Sequence, residues 1–188
     1  MLTLEQGKKL IELAHHAVET FSSKGELSLS AYKDLSDVQP VVLILYIRSE
    51  IREAYIPDQP LYKAIVRAAR QTAFEHLRYA PVGMDDLKTI RFEIALLTPL
   101  EVIKVLDFED FSKRIRLGID GPMIRAGTYS SIMLPDFPAR YSWDHERALR
   151  YLTQKAGRHT DAWQNLANKI YKFNAQIFSE EDGKVVQR

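Results

Sequence analysis

Glutamate and histidine side chains suited to metal binding stand three and four residues apart near the start of the chain, at Glu12, His15, His16 and Glu19. On a helix this spacing places them on one face, where two of them can share a metal ion. A helical metal site also needs matching ligands from a second helix. The remaining histidines are scattered along the chain. We therefore interpret the cluster as a solvated helix face and predict no metal site.

Two further groups have side chains that could do chemistry. Asp107, Glu109 and Asp110 are acidic neighbours, and carboxylates held at a fixed separation can act as general acid and base. Trp143 and Trp163 could stack on nucleic-acid bases. However, the 26 Lys and Arg residues are balanced by 25 Asp and Glu residues, so the chain as a whole has no positive field that would attract nucleic acid. We interpret the tryptophans as packing residues and expect no nucleic-acid partner.

The motifs that carry known mechanisms are absent from the sequence. There is no G-x-S-x-G, G-x-x-x-x-G-K-S/T, G-x-G-x-x-G or H-E-x-x-H string. Gly118-Ile119-Asp120-Gly121 is followed by Pro122, which has no backbone N–H to offer a phosphate. The chain has no cysteine, which excludes disulfides, thiolate-bound metals and cysteine nucleophiles. No cofactor is implied.

The elements that must position any site follow from hydrophobic spacing. Thr3 and Gln6 fit a capping box before an amphipathic helix at residues 4–22. Residues 41–47 read as a buried strand, and residues 90–96 alternate as a strand with one drier face. A later helix begins at Ser142 or Asp144 and ends at Gly157.

The second half of the chain indicates the fold class. Glycines in residues 115–135 predict a hairpin or a meander with a turn near Asp120-Gly121, and residues 171–177 alternate as a final strand. We predict an α+β fold, an antiparallel or mixed sheet with flanking helices, in a single domain over residues 1–188. The polar tail from residue 180 is expected to fray. Without a signal-like start or a membrane span, we expect a cytoplasmic, not membrane-bound, protein.

Several features, in order along the chain, resemble the AMMECR family, also called protein A of the AmmeMemoRadiSam system. The resemblance spans roughly residues 2–181, and its most specific string is Lys155-Ala156-Gly157, followed by Trp163 and by Tyr171-Lys172-Phe173. It implies a larger lobe with an antiparallel sheet and flanking helices, and a smaller lobe that makes a cleft beside it. It also implies a context with a Memo-like protein and a radical-SAM protein, but no reaction.

The chain departs from this family at the hallmark string Leu-Arg-Gly-Cys-Ile-Gly, which reads here as Ile51-Arg52-Glu53-Ala54-Tyr55-Ile56. Only the arginine is kept, so thiolate chemistry is lost at this site. The resemblance also keeps Arg78 and Lys155. With Arg52 they could form a cationic cleft for a phosphate, a carboxylate or an acidic partner group. Asp136, where the family has glutamine, is a further ligand-binding candidate.

Three functions remain open from the sequence. The first is a non-catalytic module that binds an anionic small molecule or a protein partner through these cations. The second is an enzyme whose general acid or base is Glu53, Tyr55 or Glu93, lying near the cations. The third is a structural or assembly role through the aromatic region around residues 129–143. As an alternative to ligand binding, the cations could pair with Glu53, Glu93 and Asp136 as structural ion pairs.

Overall fold

A computed structural model describes residues 1–76, 78–165 and 167–188 of the chain. The chain forms two compact units. Unit 1 comprises residues 1–97 and 176–188, and unit 2 comprises residues 98–175. The predicted α+β class is confirmed, with one antiparallel sheet in each unit. The single-domain assignment and the cleft remain predictions.

Unit 1 contains a five-stranded sheet with two helices packed on it; the strands at residues 50–60, 38–47, 91–97, 175–181 and 184–187 lie side by side in that order. Its helices are α1 (Leu4–Ser22) and α2 (Leu61–Phe74). Its strands are β1 (Val38–Ile47), β2 (Glu50–Pro60), β3 (Arg91–Leu97), β8 (Ala175–Glu181) and β9 (Lys184–Gln187). The predicted capping box at the start of α1 is present. Small residues on α2 allow close packing, since Ala64, Ala68 and Ala69 are completely buried.

The two faces of this sheet carry different side chains. Leu43 and Leu45 of β1 belong to the core beneath the helices, and their partners on β2 are Ala54 and Arg52. Ile44 points to the second face and pairs with Glu53 on one side and with Glu93 on the other. Because neighbouring residues of a strand point to opposite faces, Arg52 and Glu53 lie on opposite sides of the sheet.

Unit 2 has a four-stranded sheet in the order β4-β7-β5-β6. The strands are β4 (Glu101–Ile103), β5 (Gly121–Ala126), β6 (Tyr129–Ile132) and β7 (Lys169–Phe173). The helices are α3 (Phe108–Arg114), α4 (Asp136–Arg140) and α5 (His145–Lys155), the last capped by Asp144. Phe111 of α3, Leu152 of α5 and Ile124 of β5 meet in its core.

Three details of the sequence prediction were wrong. The turn near Asp120-Gly121, at residues 117–119, is not the hairpin turn, because Gly121 begins β5 and the hairpin of β5 and β6 turns at Gly127, which has a φ of 66°. The predicted strand at residues 171–177 is two strands, one in each sheet, separated by Asn174. The tail does not fray, since β9 pairs with β8, and the backbone N–H and carbonyl of Arg188 bond to Ile177.

Candidate functional site

Arg52 lies inside unit 1 and is only 2% exposed. Its Nε and Nη2 both donate to Oε2 of Glu50, at 2.9 and 2.6 Å, and its Nη1 donates to the carbonyls of Thr72 and Ala73, both at 3.4 Å. Those carbonyls belong to the last turn of α2, which has no basic residue of its own. Because the end of a helix has unpaired carbonyls and partial negative charge, a cation there is stabilising. Arg52 therefore holds β2 against the end of α2.

The segment after α2 brings an imidazole and a phenol ring to this arginine. The guanidinium of Arg52 lies 5.1 Å from the ring centre of Tyr79, and the Tyr79 ring lies 4.8 Å from that of His76. The backbone N–H of Arg78 donates to Nδ1 of His76 at 3.2 Å. Arg78 itself is exposed, and among the residues that the structure describes no carboxylate pairs with it. The site therefore combines a buried arginine with an exposed one.

His76 is half-buried between these charges. Burial lowers the pKa of its imidazole below the usual 6.5, and the charges of Arg52 and Arg78 lower it further against the opposing effect of Glu50. Because Nδ1 accepts a hydrogen bond, the neutral ring carries its proton on Nε2. His76 is thus a neutral N–H donor at pH 7.

A second ion pair, between Arg48 and Asp86, lies next to the Arg52 pair. Arg48 occupies the β1–β2 turn with a φ of 54°, and its Nε and Nη2 donate to Oδ1 of Asp86 at 3.0 and 2.6 Å. A hydrogen bond from the backbone N–H of Gly83 lowers the pKa of Asp86, and Arg48 and Arg52 lower it further. Asp86 is therefore ionised at neutral pH and belongs to the same electrostatic cluster as Arg52.

The predicted catalytic residues are not beside Arg52. Glu53 and Tyr55 are on the opposite face of β2, where Glu53 and Glu93 flank Ile44. Glu93 is 3% exposed, and its Oε2 accepts a hydrogen bond from Nη2 of Arg188 at 2.6 Å. The expectation that these groups lie near the cations was therefore wrong for Arg52, because strand alternation separates them.

The other two candidate ligand-binding residues lie in unit 2. Lys155 ends α5, and its Nζ donates to the carbonyl of Ile132 at 2.7 Å. Asp136 begins α4 and pairs with Arg140 at 2.6 Å. Arg52 pairs with Glu50, so the alternative of a structural ion pair holds for this arginine, with Glu50 as its partner. The four candidate ligand-binding residues therefore divide between the units, with Arg52 and Arg78 in unit 1 and Asp136 and Lys155 in unit 2.

One residue of the histidine–glutamate cluster of α1, His15, has a structural role. Nε2 of His15 lies 2.9 Å from both carboxylate oxygens of Glu180, and Oε2 of Glu180 accepts the backbone N–H of Phe92 at 2.7 Å. Within residues 1–76, 78–165 and 167–188, no group of three or more potential metal ligands occurs. In the same ranges, no helix is both long enough and apolar enough to cross a membrane.

Sequence reasoning missed three components of the site: Glu50, His76 as a polar group, and Tyr79. Glu50 was detectable in principle, because residues i and i+2 of a strand share a face and Glu50 precedes Arg52 by two. The roles of His76 and Tyr79 follow from the path of the chain after α2, for which the sequence had no signal.

Comparison with known proteins matches this chain to proteins of similar length. The family model described as AMMECR1 matches residues 54–178. Protein MJ0810 of Methanocaldococcus jannaschii is 33% identical over 100% of this chain and 98% of its own length. Protein PYRAB00100 of Pyrococcus abyssi is 32% identical over 94% of this chain and 91% of its own length.

The fold is also shared with a solved structure. The crystal structure of the uncharacterised protein PH0010 from Pyrococcus horikoshii has a TM-score of 0.86 and 29% sequence identity. The similarity covers 98% of this chain and 97% of that one. The similarity to these proteins in sequence and in fold therefore extends over nearly the whole chain.

Proposed function

The chain belongs to the AMMECR1 family, and from this premise we propose that its unit 1 is a binding module for an anion. The exposed guanidinium of Arg78 and the Nε2–H of His76 are the proposed donors, and the guanidinium of Arg52, paired with Glu50, lies behind them against the Tyr79 ring. The observation that carries the proposal is the pairing of a buried, internally satisfied arginine with an exposed arginine that has no carboxylate partner among the described residues.

Arg52 contributes by its position and not by donating to the anion, since most of its donors are already used by Glu50 and by α2, and Glu50 balances its charge. A buried guanidinium keeps its charge at every physiological pH. Arg78 has the free planar donors that match a carboxylate or a phosphate. An anionic small molecule and an acidic group of a protein partner, including the Memo-like or radical-SAM proteins implied by the resemblance, would use the same donors.

The test is a titration of the full chain with sodium formate and sodium sulfate, followed by ¹H–¹⁵N NMR and compared with sodium chloride at equal ionic strength. At least one of the two anions should shift the resonances of Arg78 and His76, and Arg78→Gln should weaken its binding by about tenfold or more. Arg67→Gln is the matched control, because Arg67 is an exposed arginine on α2 and its replacement removes the same charge. Equal weakening by both substitutions would mean that general surface charge, and not this site, attracts the anion.

The two other functions have less support. The enzyme hypothesis requires a general acid or base beside the cations, but Glu53 and Tyr55 lie on the face of β2 opposite to Arg52. An assembly role through the aromatic region, where Phe137 and Trp143 pack at 5.3 Å, and the cytoplasmic location stay predictions.

A further inference from the structure

The charges around His76 can be counted from their contacts. Arg52 is paired with Glu50, and Arg48 is paired with Asp86, each at 2.6 Å. These two pairs cancel, which leaves the single positive charge of Arg78. His76 adds no charge at neutral pH, because burial together with the charges of Arg52 and Arg78 holds its pKa below 6.5. The site therefore presents one net positive charge.

Because of this single net positive charge, the site should bind monoanions and dianions with different affinities. A monoanion neutralises the site, whereas a dianion leaves a surplus negative charge beside the carboxylate of Glu50, whose side chain is only 24% exposed. Like charges at short range in a partly desolvated place repel strongly. A carboxylate also fits the planar fork of Arg78 with its two oxygens.

We infer that the ligand of this site presents a single carboxylate at neutral pH, and that protonation of His76 opens the site to dianions. The inference rests on the proposed function and specifies its ligand. The imidazole faces Arg52 and Glu50 from β2, and Arg78 and Tyr79 from the segment after α2. A second proton on the ring, at Nδ1, raises the local charge from one to two, which is the charge that a dianion needs. It takes the place of the hydrogen bond that Nδ1 accepts from the backbone N–H of Arg78.

The experiment compares sodium formate with sodium sulfate, since both keep their charge between about pH 5 and pH 8. The full chain is titrated at about pH 7.5 and at about pH 5, at constant ionic strength, with the His76 ring resonances as the readout. At the higher pH, formate should bind about tenfold more tightly than sulfate. At the lower pH, the ratio of the two affinities should fall in proportion to the imidazolium fraction that the His76 ring resonances report, because sulfate gains from the imidazolium.

His76→Gln keeps an N–H donor but cannot titrate, so its formate-to-sulfate ratio should be the same at both pH values. His76→Asn serves the same purpose if the first variant does not fold. Sulfate binding as tightly as formate at the higher pH, or a ratio that does not change with pH in the unaltered chain, would overturn the inference while leaving anion binding intact. A ratio that still changes with pH in His76→Gln would do the same. Failure of both anions to bind at either pH would instead overturn the proposed function itself.

Discussion

Each unit contains an arginine–carboxylate pair with one buried member. The buried member is the arginine in unit 1 and the carboxylate in unit 2. In unit 1 the Arg52 side chain is 3% exposed and its partner Glu50 is 24% exposed. In unit 2 the Arg116 side chain is 65% exposed and its partner Asp120 is 4% exposed. The buried member is in each case the one with additional partners: two helix carbonyls for Arg52, and the backbone N–H of Arg116 and Nδ2 of Asn174 for Asp120.

The difference decides what each pair can do. A buried arginine is charged at every accessible pH, so the first pair stays intact as the pH changes and keeps its guanidinium against the Tyr79 ring of the proposed site. A buried carboxylate loses its charge in acid, so the second pair makes the stability of unit 2 depend on pH. One pair therefore suits ligand binding, and the other suits holding the structure together.

The largest expected effect is the loss of the buried arginine. Arg52→Met removes the cation but leaves Glu50 and the carbonyls of Thr72 and Ala73 behind, and breaking a buried pair in this way costs about 3 kcal/mol. Urea denaturation followed by far-ultraviolet circular dichroism would measure it. Arg67→Met, at an exposed position of α2, is the control. A loss below about 0.5 kcal/mol would mean that the contacts of Arg52 contribute nothing net.

The next effect in size is acid destabilisation of unit 2. The hydrogen bond from the Arg116 side chain lowers the pKa of Asp120 to about 2 from 3.8, against the opposing effect of burial and with help from the Arg116 backbone and Asn174. Because the folded pKa is the lower one, the stabilisation is complete above pH 3.8 and disappears as the pH falls through about 2. With allowance for the exposed arginine, it amounts to about 2 kcal/mol.

Asp120→Asn isolates this contribution from all other carboxylates. The variant should be less stable than the unaltered chain near neutral pH, and the gap should close as the pH approaches about 2. Tryptophan fluorescence reports on the correct unit, since Trp143 and Trp163 both lie in unit 2. A gap that stays constant with pH would show that Asp120 acts through packing and not through its charge.

Periodicity predicted the elements whose residues are fixed by packing alone. The spacing that gave residues 4–22 as a helix and residues 90–96 as a strand reports only which face is buried, and the structure confirms both elements within one residue. The hairpin turn was predicted too early, because Asp120 closes a different turn, at residues 117–119, and Gly121 serves a tertiary contact. Asp120 is bonded to Arg116 and Asn174, and a Cβ on Gly121 would lie 2.4 Å from Cζ of Phe173, its partner across the strands.

The site was predicted only where the resemblance named its residues. Arg52 and Arg78 were found in this way, but a resemblance states no geometry and could not show that one is buried and the other exposed. Residues 50–60 were not identified as a strand. The alternation of side chains between the two faces of a strand was therefore not used, and Glu53 instead of Glu50 was predicted to lie near Arg52. His76 gains its place from Arg78 and Tyr79, which are contacts of a turn and follow no periodic pattern.

The smallest expected effect on stability is at Arg78, and it separates the two arginines of the proposed site. Arg78 is exposed, so Arg78→Gln should change the free energy of unfolding by less than about 0.5 kcal/mol, although the same change should weaken anion binding by about tenfold. Urea denaturation and NMR titration of one sample measure both. Arg52→Met should show the opposite balance, with a large loss of stability, because its guanidinium is held by Glu50 and α2. If Arg78→Gln destabilised the chain as much as Arg52→Met does, Arg78 would be a structural residue, and the division of labour between a buried charge and an exposed donor would be wrong.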